Sequence, residues 1–300
     1  MSPGVDVLIP TKDRPYALAM VLVSLAAQTE ADLRIVVSDQ SEGRPAFDAP
    51  EVAAAIRILE AAGRPVIART NLPRRGMAEQ RQFLLDLALA PRVLFLDDDV
   101  VVEPTLVARL RRALDRAGCG FVGSAPIGLS FQDDVRPHEQ RIEFWDDEVQ
   151  PETVRPGGPG WERHRLHNAA NIWHVGRALP HGQERLYRVA WIGACVMYDA
   201  DKLRRSGGFR FWQSLPLDHA GEDVLAQHRV MARFGGAGLL PSGAFHLELP
   251  TTIPERSAEA HALAAEWLIS DPPRRRRVSR SRRRRRRTRP RESVATSRAG

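Results

Sequence analysis

The amino-terminal third of the chain alternates short apolar runs with amphipathic stretches, and no other feature constrains the fold as strongly. Val5-Asp6-Val7-Leu8-Ile9, Leu33-Arg34-Ile35-Val36-Val37, residues 66–68 and Val93-Leu94-Phe95-Leu96 all have strand length. Pro10 is expected to end the first of them, and the second closes on Ser38-Asp39. Asp13, two residues before Pro15, is placed to cap a helix over 16–28 whose Leu18, Leu22 and Leu25 share a face. Helices are also predicted over 52–62 and 77–89. Another starts at Glu103-Pro104, where Leu106, Val107, Leu110, Ala113 and Leu114 make a core-facing stripe. Strands alternating with helices predict an α/β fold, with a mostly parallel sheet and helices on both faces.

After Gly118 the pattern changes. Residues 124–186 are rich in Pro, Gly, Trp, His and charge and have weak periodicity, so they are expected to form an irregular insertion. Residues 187–198 read as a strand. A helix over 200–206 stops at Gly207-Gly208, and another over 222–234 stops at Gly235-Gly236. Leu239-Leu240 and Phe245-His246-Leu247 are expected to form a final strand pair, and a helix over 257–268 to close the fold. One folded domain over 1–271 is expected.

The net charge of +7 belongs to the end of the chain. Residues 274–300 hold 14 arginines against one acid, Glu292, which leaves the remainder at −6. Like charges at that density repel and bury no apolar area, so a disordered tail over 272–300 is expected. The basicity is therefore no argument that the folded part binds nucleic acid. No run of about 18 apolar residues exists, so no membrane-spanning helix is expected. The chain enters its first strand without a basic and then apolar leader, so no secretory signal is expected either. Cys119 and Cys195 lack metal-ligand spacing and fit a reducing cytoplasm.

Asp97, Asp98 and Asp99 follow the apolar run 93–96. A buried strand would deliver them to its carboxyl end, where open α/β sheets place ligands. Adjacent negative charges repel, and a bound cation relieves that cost. Carboxylate oxygens suit Mg²⁺ or Mn²⁺, ions that often carry substrate phosphates. A solvated loop is the plain alternative.

Six segments occur in order over residues 5–247: Ile9-Pro10-Thr11-Lys12-Asp13-Arg14, Val36-Val37-Ser38-Asp39, Arg75-Gly76-Met77-Ala78-Glu79-Gln80-Arg81, Phe95-Leu96-Asp97-Asp98-Asp99, Gly207-Gly208-Phe209 and Gly221-Glu222-Asp223-Val224. This series resembles the family 2 glycosyltransferases, inverting enzymes with the GT-A fold. The resemblance implies a Rossmann-like GT-A domain, with a nucleotide-sugar half over about 1–123 and an acceptor half over about 124–271. It implies a nucleotide-diphosphate sugar donor, a hydroxyl acceptor and a divalent metal, Mn²⁺ or Mg²⁺.

The same resemblance implies roles for residues. Pro10, Thr11, Asp13 and Arg14 would contact the nucleotide, although Arg14 equally reads as a surface charge near the helix start; so would Asp39, which otherwise reads as a turn residue. Arg81 falls at the family's basic position and would meet the diphosphate; Gln82 stands where asparagine is common. Arg74 reads as a solvated charge. Asp99 would ligate the metal, with Asp97 and Asp98 on ribose or metal-bound water. His246 reads either as a packed strand residue or as a further metal ligand. Asp223 would be the general base and Glu222 would orient the acceptor, although either acid could simply cap a helix. Trp191 and Gly193 are candidate acceptor contacts, with core packing the alternative for Trp191. Gln227-His228-Arg229 lacks the tryptophan spacing of the processive synthases, which favours single transfer.

Two other classes stay open. A sugar-phosphate nucleotidyltransferase shares the sheet and the metal, but normally carries a glycine-rich loop after the first strand. A non-catalytic protein could use the arginine tail on an anionic membrane surface or nucleic acid.

Overall fold

The computed structural model describes residues 4–146, 148–251 and 258–263. The alternation of the first third becomes β1 (Val5–Thr11), α1 (Pro15–Ala26), β2 (Leu33–Asp39), α2 (Pro50–Ala61), β3 (Val66–Thr70), α3 (Met77–Leu87) and β4 (Arg92–Leu96). β5 (Val100–Val102), α4 (Leu106–Ala117) and β6 (Phe121–Gly123) follow. The irregular middle holds short 3-10 turns, α5 (Asn171–Arg177) and β7 (Arg185–Tyr187). β8 (Cys195–Asp199), α6 (Ala200–Arg205), α7 (Glu222–Phe234), β9 (Gly236–Leu240), β10 (Ala244–His246) and α8 (Ala260–Leu263) complete the order.

Eight strands form one sheet in the order β3-β2-β1-β4-β8-β6-β9-β7. The β3-β2-β1-β4 half is wholly parallel. β8 runs antiparallel between β4 and β6, and β7 antiparallel beside β9. Successive side chains on a strand point to opposite faces, so β1 feeds two cores. Val7 and Ile9 pack with Leu18, Leu22 and Leu110 on one face. Leu8 packs with Phe95, Leu84, Phe209 and Leu225 on the other. Burial on both faces is why the strands read as near-continuous apolar runs.

Asp6 interrupts that run and is fully buried. Its carboxylate accepts from Arg34 Nε at 2.7 Å and Nη2 at 2.6 Å, and from the Leu89 and Ala90 amides at 2.6 and 2.9 Å.

Several boundaries differ from the sequence reading. Pro10 lies inside β1, opposite Ser38. The pairing with β4 ends at Leu8 opposite Phe95, so no neighbour on that side needs the amide proline lacks. Arg14, not Asp13, occupies the cap position of α1, and no side chain caps that helix. Asp13 instead turns the chain, with φ 56° and its amide donating to Ser41 Oγ at 2.8 Å. The expected strand over 187–198 is two strands joined by an irregular stretch. β9 and β10 do not pair: β10 joins β5 in a separate two-stranded sheet. Of the expected closing helix only α8 is described, and the arginine-rich tail lies outside the described residues. Among the described residues no helix is long and apolar enough to cross a membrane.

Candidate active site

The carboxyl ends of β1 and β4 open on a cavity of about 330 Å³. Thr11, Arg14, Arg81, Asp97, Asp98 and Asp99 line one side, and His219, Gly221, Glu222 and Asp223 another. β4 stops at Leu96, and Asp97 leaves the sheet with its amide bonded to the Ala194 carbonyl at 2.9 Å. His246, at the end of β10, and Leu249 and Thr251 beyond it complete the wall.

Two glycines set the helix starts that face each other across the cavity. Gly76, before α3, has φ 95°, and a Cβ there would lie 2.6 Å from the Leu217 carbonyl oxygen. Gly221, before α7, has φ 76°. Left-handed backbone of this kind favours glycine. It presents Glu222 and Asp223 in the first turn of α7, where the helix dipole stabilises negative charge.

Four carboxylates meet two guanidinium groups. Arg14 Nη1 donates to Asp99 Oδ2 at 2.7 Å and to Asp98 Oδ1 at 3.3 Å, while its Nη2 donates to the Pro250 carbonyl. Thr11 Oγ1 donates to Asp98 Oδ2 at 2.6 Å. Arg81, on α3, bridges the two acidic groups of the site, with Nη2 on Asp97 Oδ1 at 2.9 Å and Nε on Glu222 Oε1 at 3.0 Å. Burial pushes Asp98 up to about 7 against the Thr11 hydroxyl and Arg14, and the neighbouring carboxylates add to the rise. Burial also raises Asp99, against His246 and Arg14. Asp223 is pushed up to about 7 by burial first and by the Glu222 charge second, against Arg81. Arg81 stays charged: its burial is outweighed by Asp97, Glu222 and Asp223.

The residues present can be tested against a divalent cation. Asp99 Oδ1 and His246 Nε2 lie 3.7 Å apart, a span that two bonds of about 2.1 Å can cover. His246 Nδ1 accepts from the Glu248 amide at 2.8 Å. That bond fixes the ring with Nε2 turned towards Asp99 at 3.7 Å, so His246 stands beside the triplet. Among the described residues no three His, Cys, Asp or Glu side chains form a metal cage. One or two carboxylates, with ligand phosphates and water supplying the rest, is the usual magnesium arrangement. The aspartates fit it.

The sequence profile described as glycosyl transferase family 2 matches residues 6–192. The chain belongs to that family. No curated protein matches it in sequence. Among solved structures it is similar to S. aureus TarS 1-349, with 15% identity over 82% of this chain and 60% of that one, at a TM-score of 0.52. The complex of TarS 1-349 with UDP-GlcNAc superposes at 0.54, with 14% identity over 84% and 60% of the two chains. The mannosyltransferase PcManGT from Pyrobaculum calidifontis, in complex with GDP-Man and Mn²⁺, superposes at 0.51, with 16% identity over 84% and 59%. The family 2 chain thus spans about three fifths of the length of these solved chains, and they share its fold.

Other residues singled out in the sequence stand apart from the cavity wall. The Asp39 carboxylate is fully buried and holds the following loop: Oδ1 accepts from the Ser41 amide at 2.8 Å and hydroxyl at 2.6 Å, and Oδ2 from the Ala46 amide at 2.5 Å. Asp13 is exposed beside Lys12. Arg74 pairs with Asp218, and Arg75 lies over Trp212. Gln82 faces inward, its Oε1 accepting from the Phe209 amide at 2.9 Å and so tying the double-glycine turn to α3. Trp191 lines a neighbouring cavity, and Gly193 follows it on the irregular stretch before β8.

Two contributors went unread in the sequence. His219 Nε2 accepts from the Ala78 amide at 3.1 Å, while its Nδ1 contacts the Pro216 carbonyl at 2.8 Å. Gln80 Nε2 donates to the carbonyls of Ser38 at 2.7 Å and Thr11 at 3.1 Å, locking the ends of β1 and β2. Neither carries a local sequence signal, because the Ala78, Thr11 and Ser38 groups they hold are 42 or more residues away.

Proposed function

We propose that this family 2 chain transfers a glycosyl group from a nucleotide-diphosphate sugar to an acceptor hydroxyl, in one metal-dependent, inverting displacement. The observation that carries this reading is the single cavity in which Asp97–Asp99 face Glu222-Asp223, with Arg81 between them.

The chemistry divides along that cavity. Asp99, with Asp97 and Asp98 beside it, would hold a Mn²⁺ or Mg²⁺ ion. Such an ion, when bound, neutralises the charge that grows on the departing diphosphate. Thr11 and Arg14 orient the carboxylates and border the nucleotide. Asp223 accepts the proton of the acceptor hydroxyl. The acceptor oxygen then bonds to the anomeric carbon from the face opposite the diphosphate, and the bond to the leaving oxygen breaks with its electron pair. One displacement inverts the configuration. A base raised to about 7 is well matched to this step near neutrality. Glu222 holds Arg81 and keeps a second negative charge next to Asp223.

The test is a thermal-shift screen of UDP-, GDP- and dTDP-sugars, each with and without Mn²⁺ or Mg²⁺. A ligand present at 100 times its Kd stabilises by about 2.7 kcal/mol. At least one nucleotide sugar should raise the Tm only when the metal is present, and Asp99→Asn should abolish that rise. Stabilisation that ignores the metal, or survives Asp99→Asn, overturns the metal assignment.

A further inference from the structure

A second cavity, of about 470 Å³, joins the first at Gly221, which lines both. Its walls are largely apolar: Pro156, Trp161, Trp191 and Val224, with Glu259 at the mouth. Val224 directly follows Asp223, so this space lies beside the proposed base. Trp161 and Trp191 stand 4.8 Å apart between ring centroids, at 47° to one another. His164 stacks on Trp191 at 5.2 Å and 9°.

The Trp191 segment is tied to the helix that carries Asp223. One turn along α7, Gln227 Oε1 accepts from the Ile192 amide at 2.8 Å, and its Nε2 donates to the Ile192 carbonyl at 2.6 Å. His228 Nε2 meets the Ala190 carbonyl at 2.9 Å. The backbone on both sides of Trp191 is therefore fixed to α7. Any ring resting on Trp191 is held at a constant offset from Asp223, which is the condition for positioning a nucleophile.

The lining chemistry selects a ligand class. No lysine or arginine lines this cavity among the described residues, so nothing there recognises an anionic acceptor. Glu259 is the one carboxylate that lines the cavity among the described residues, an acceptor suited to a ligand that carries hydroxyl donors. A pyranose ring matches both features: its C–H face packs on flat aromatic rings, and its hydroxyls donate to carboxylates. The volume lies within the usual range for small-ligand sites.

We infer that Trp161 and Trp191 form the acceptor platform, and that the acceptor is a carbohydrate whose pyranose ring stacks there with a hydroxyl turned to Asp223. This rests on the transferase reading above.

The experiment is saturation-transfer NMR on the full chain, loaded with metal and with the nucleoside diphosphate that stabilises it. The probes are the methyl β-pyranosides of glucose, galactose, mannose and N-acetylglucosamine, with cyclohexanol as an apolar control. At least one pyranoside should show saturation on its ring C–H protons, with cyclohexanol much weaker. Trp191→Ala and Trp161→Ala should each weaken that binding at least tenfold, with nucleoside diphosphate affinity changed less than twofold. Trp191→Phe keeps a flat ring and should retain most of the signal. The inference is overturned if no pyranoside is saturated, if cyclohexanol matches them, or if the alanine variants bind unchanged while the nucleoside diphosphate still binds. A wild-type chain that binds no nucleoside diphosphate shows a different pattern: it removes the transferase reading, and this inference with it.

Discussion

Two sets of aspartates stand at opposite ends of the same two central strands, and they are neutralised in opposite ways. At the amino end of β1, Asp6 takes a bidentate arginine and two backbone amides, and nothing else draws on that carboxylate. At the carboxyl ends, Asp97, Asp98 and Asp99 share Arg14 and Arg81, and those arginines also serve the Pro250 carbonyl and Glu222. The first arrangement is closed and has no use for a ligand. The second holds surplus negative charge beside a cavity, which favours an incoming cation. Burial alone does not separate them: Asp6 is 0% exposed, and Asp98 and Asp99 are each 6%. The balance of donors against charge does.

That contrast is tested most severely by separating activity from stability. Asp223→Asn should lower kcat by about 10²–10⁴-fold, the usual worth of a general base. Nucleotide-sugar binding and Tm should stay near wild type, since among the described residues the Asp223 carboxylate accepts one hydrogen bond, from the Val224 amide at 2.8 Å. Steady-state rates alongside donor titration check this, and a variant of unchanged kcat removes the base assignment. Asp6→Ala should do the reverse. It strands a buried Arg34 and should cost about 3–5 kcal/mol of stability. The kcat of the molecules that remain folded should be unchanged. Chemical denaturation combined with active-site titration separates the two effects.

The same contrast explains what could be read from the sequence. The strand-helix rhythm and the triplet were legible because both are contiguous: one apolar run, then three acids. The opposed pair Glu222-Asp223 was legible as a glycine and two acids opening a helix. What could not be read depends on partners far along the chain. Asp6 looked like an ordinary strand residue because Arg34 completes it from β2. Residues 188–194 looked like strand because they are mostly apolar, yet the Ile192 amide and carbonyl and the Ala190 carbonyl are bonded by Gln227 and His228 rather than by a neighbouring strand. Asp39 followed a strand as a ligand-binding acid would, but its oxygens are taken up by the Ser41 and Ala46 amides and the Ser41 hydroxyl. A motif places a carboxylate, and only the fold shows what it bonds to.

Arg14 offers a finer test of the surplus charge. Arg14→Leu removes the cation that now bridges Asp98 and Asp99, leaving two partly desolvated carboxylates unmatched. Without divalent metal the variant should be less stable by roughly 1–3 kcal/mol. Mn²⁺ or Mg²⁺ alone should restore most of that loss, and should raise the Tm more than it does for the wild type. Thermal melts with metal and no nucleotide read this directly. A loss that metal does not rescue would mean the triplet holds no cation site and resembles Asp6 after all.

The smallest effect is one of pH. Asp223 accepts a proton only as the carboxylate, and burial with the Glu222 charge pushes it up to about 7. With saturating donor and acceptor, kcat should therefore rise about tenfold per pH unit below that value and level off above it. Glu222→Gln removes the second-largest cause of the rise, and removing a raising cause lowers the pKa. The acid limb of kcat should then move to lower pH. Asp98 is also pushed up to about 7, but it lies on the donor side, so its titration belongs in the donor KM. A limb that stays in place in Glu222→Gln, or that appears in KM alone, would assign the titration to the aspartate triplet rather than to the base opposite it.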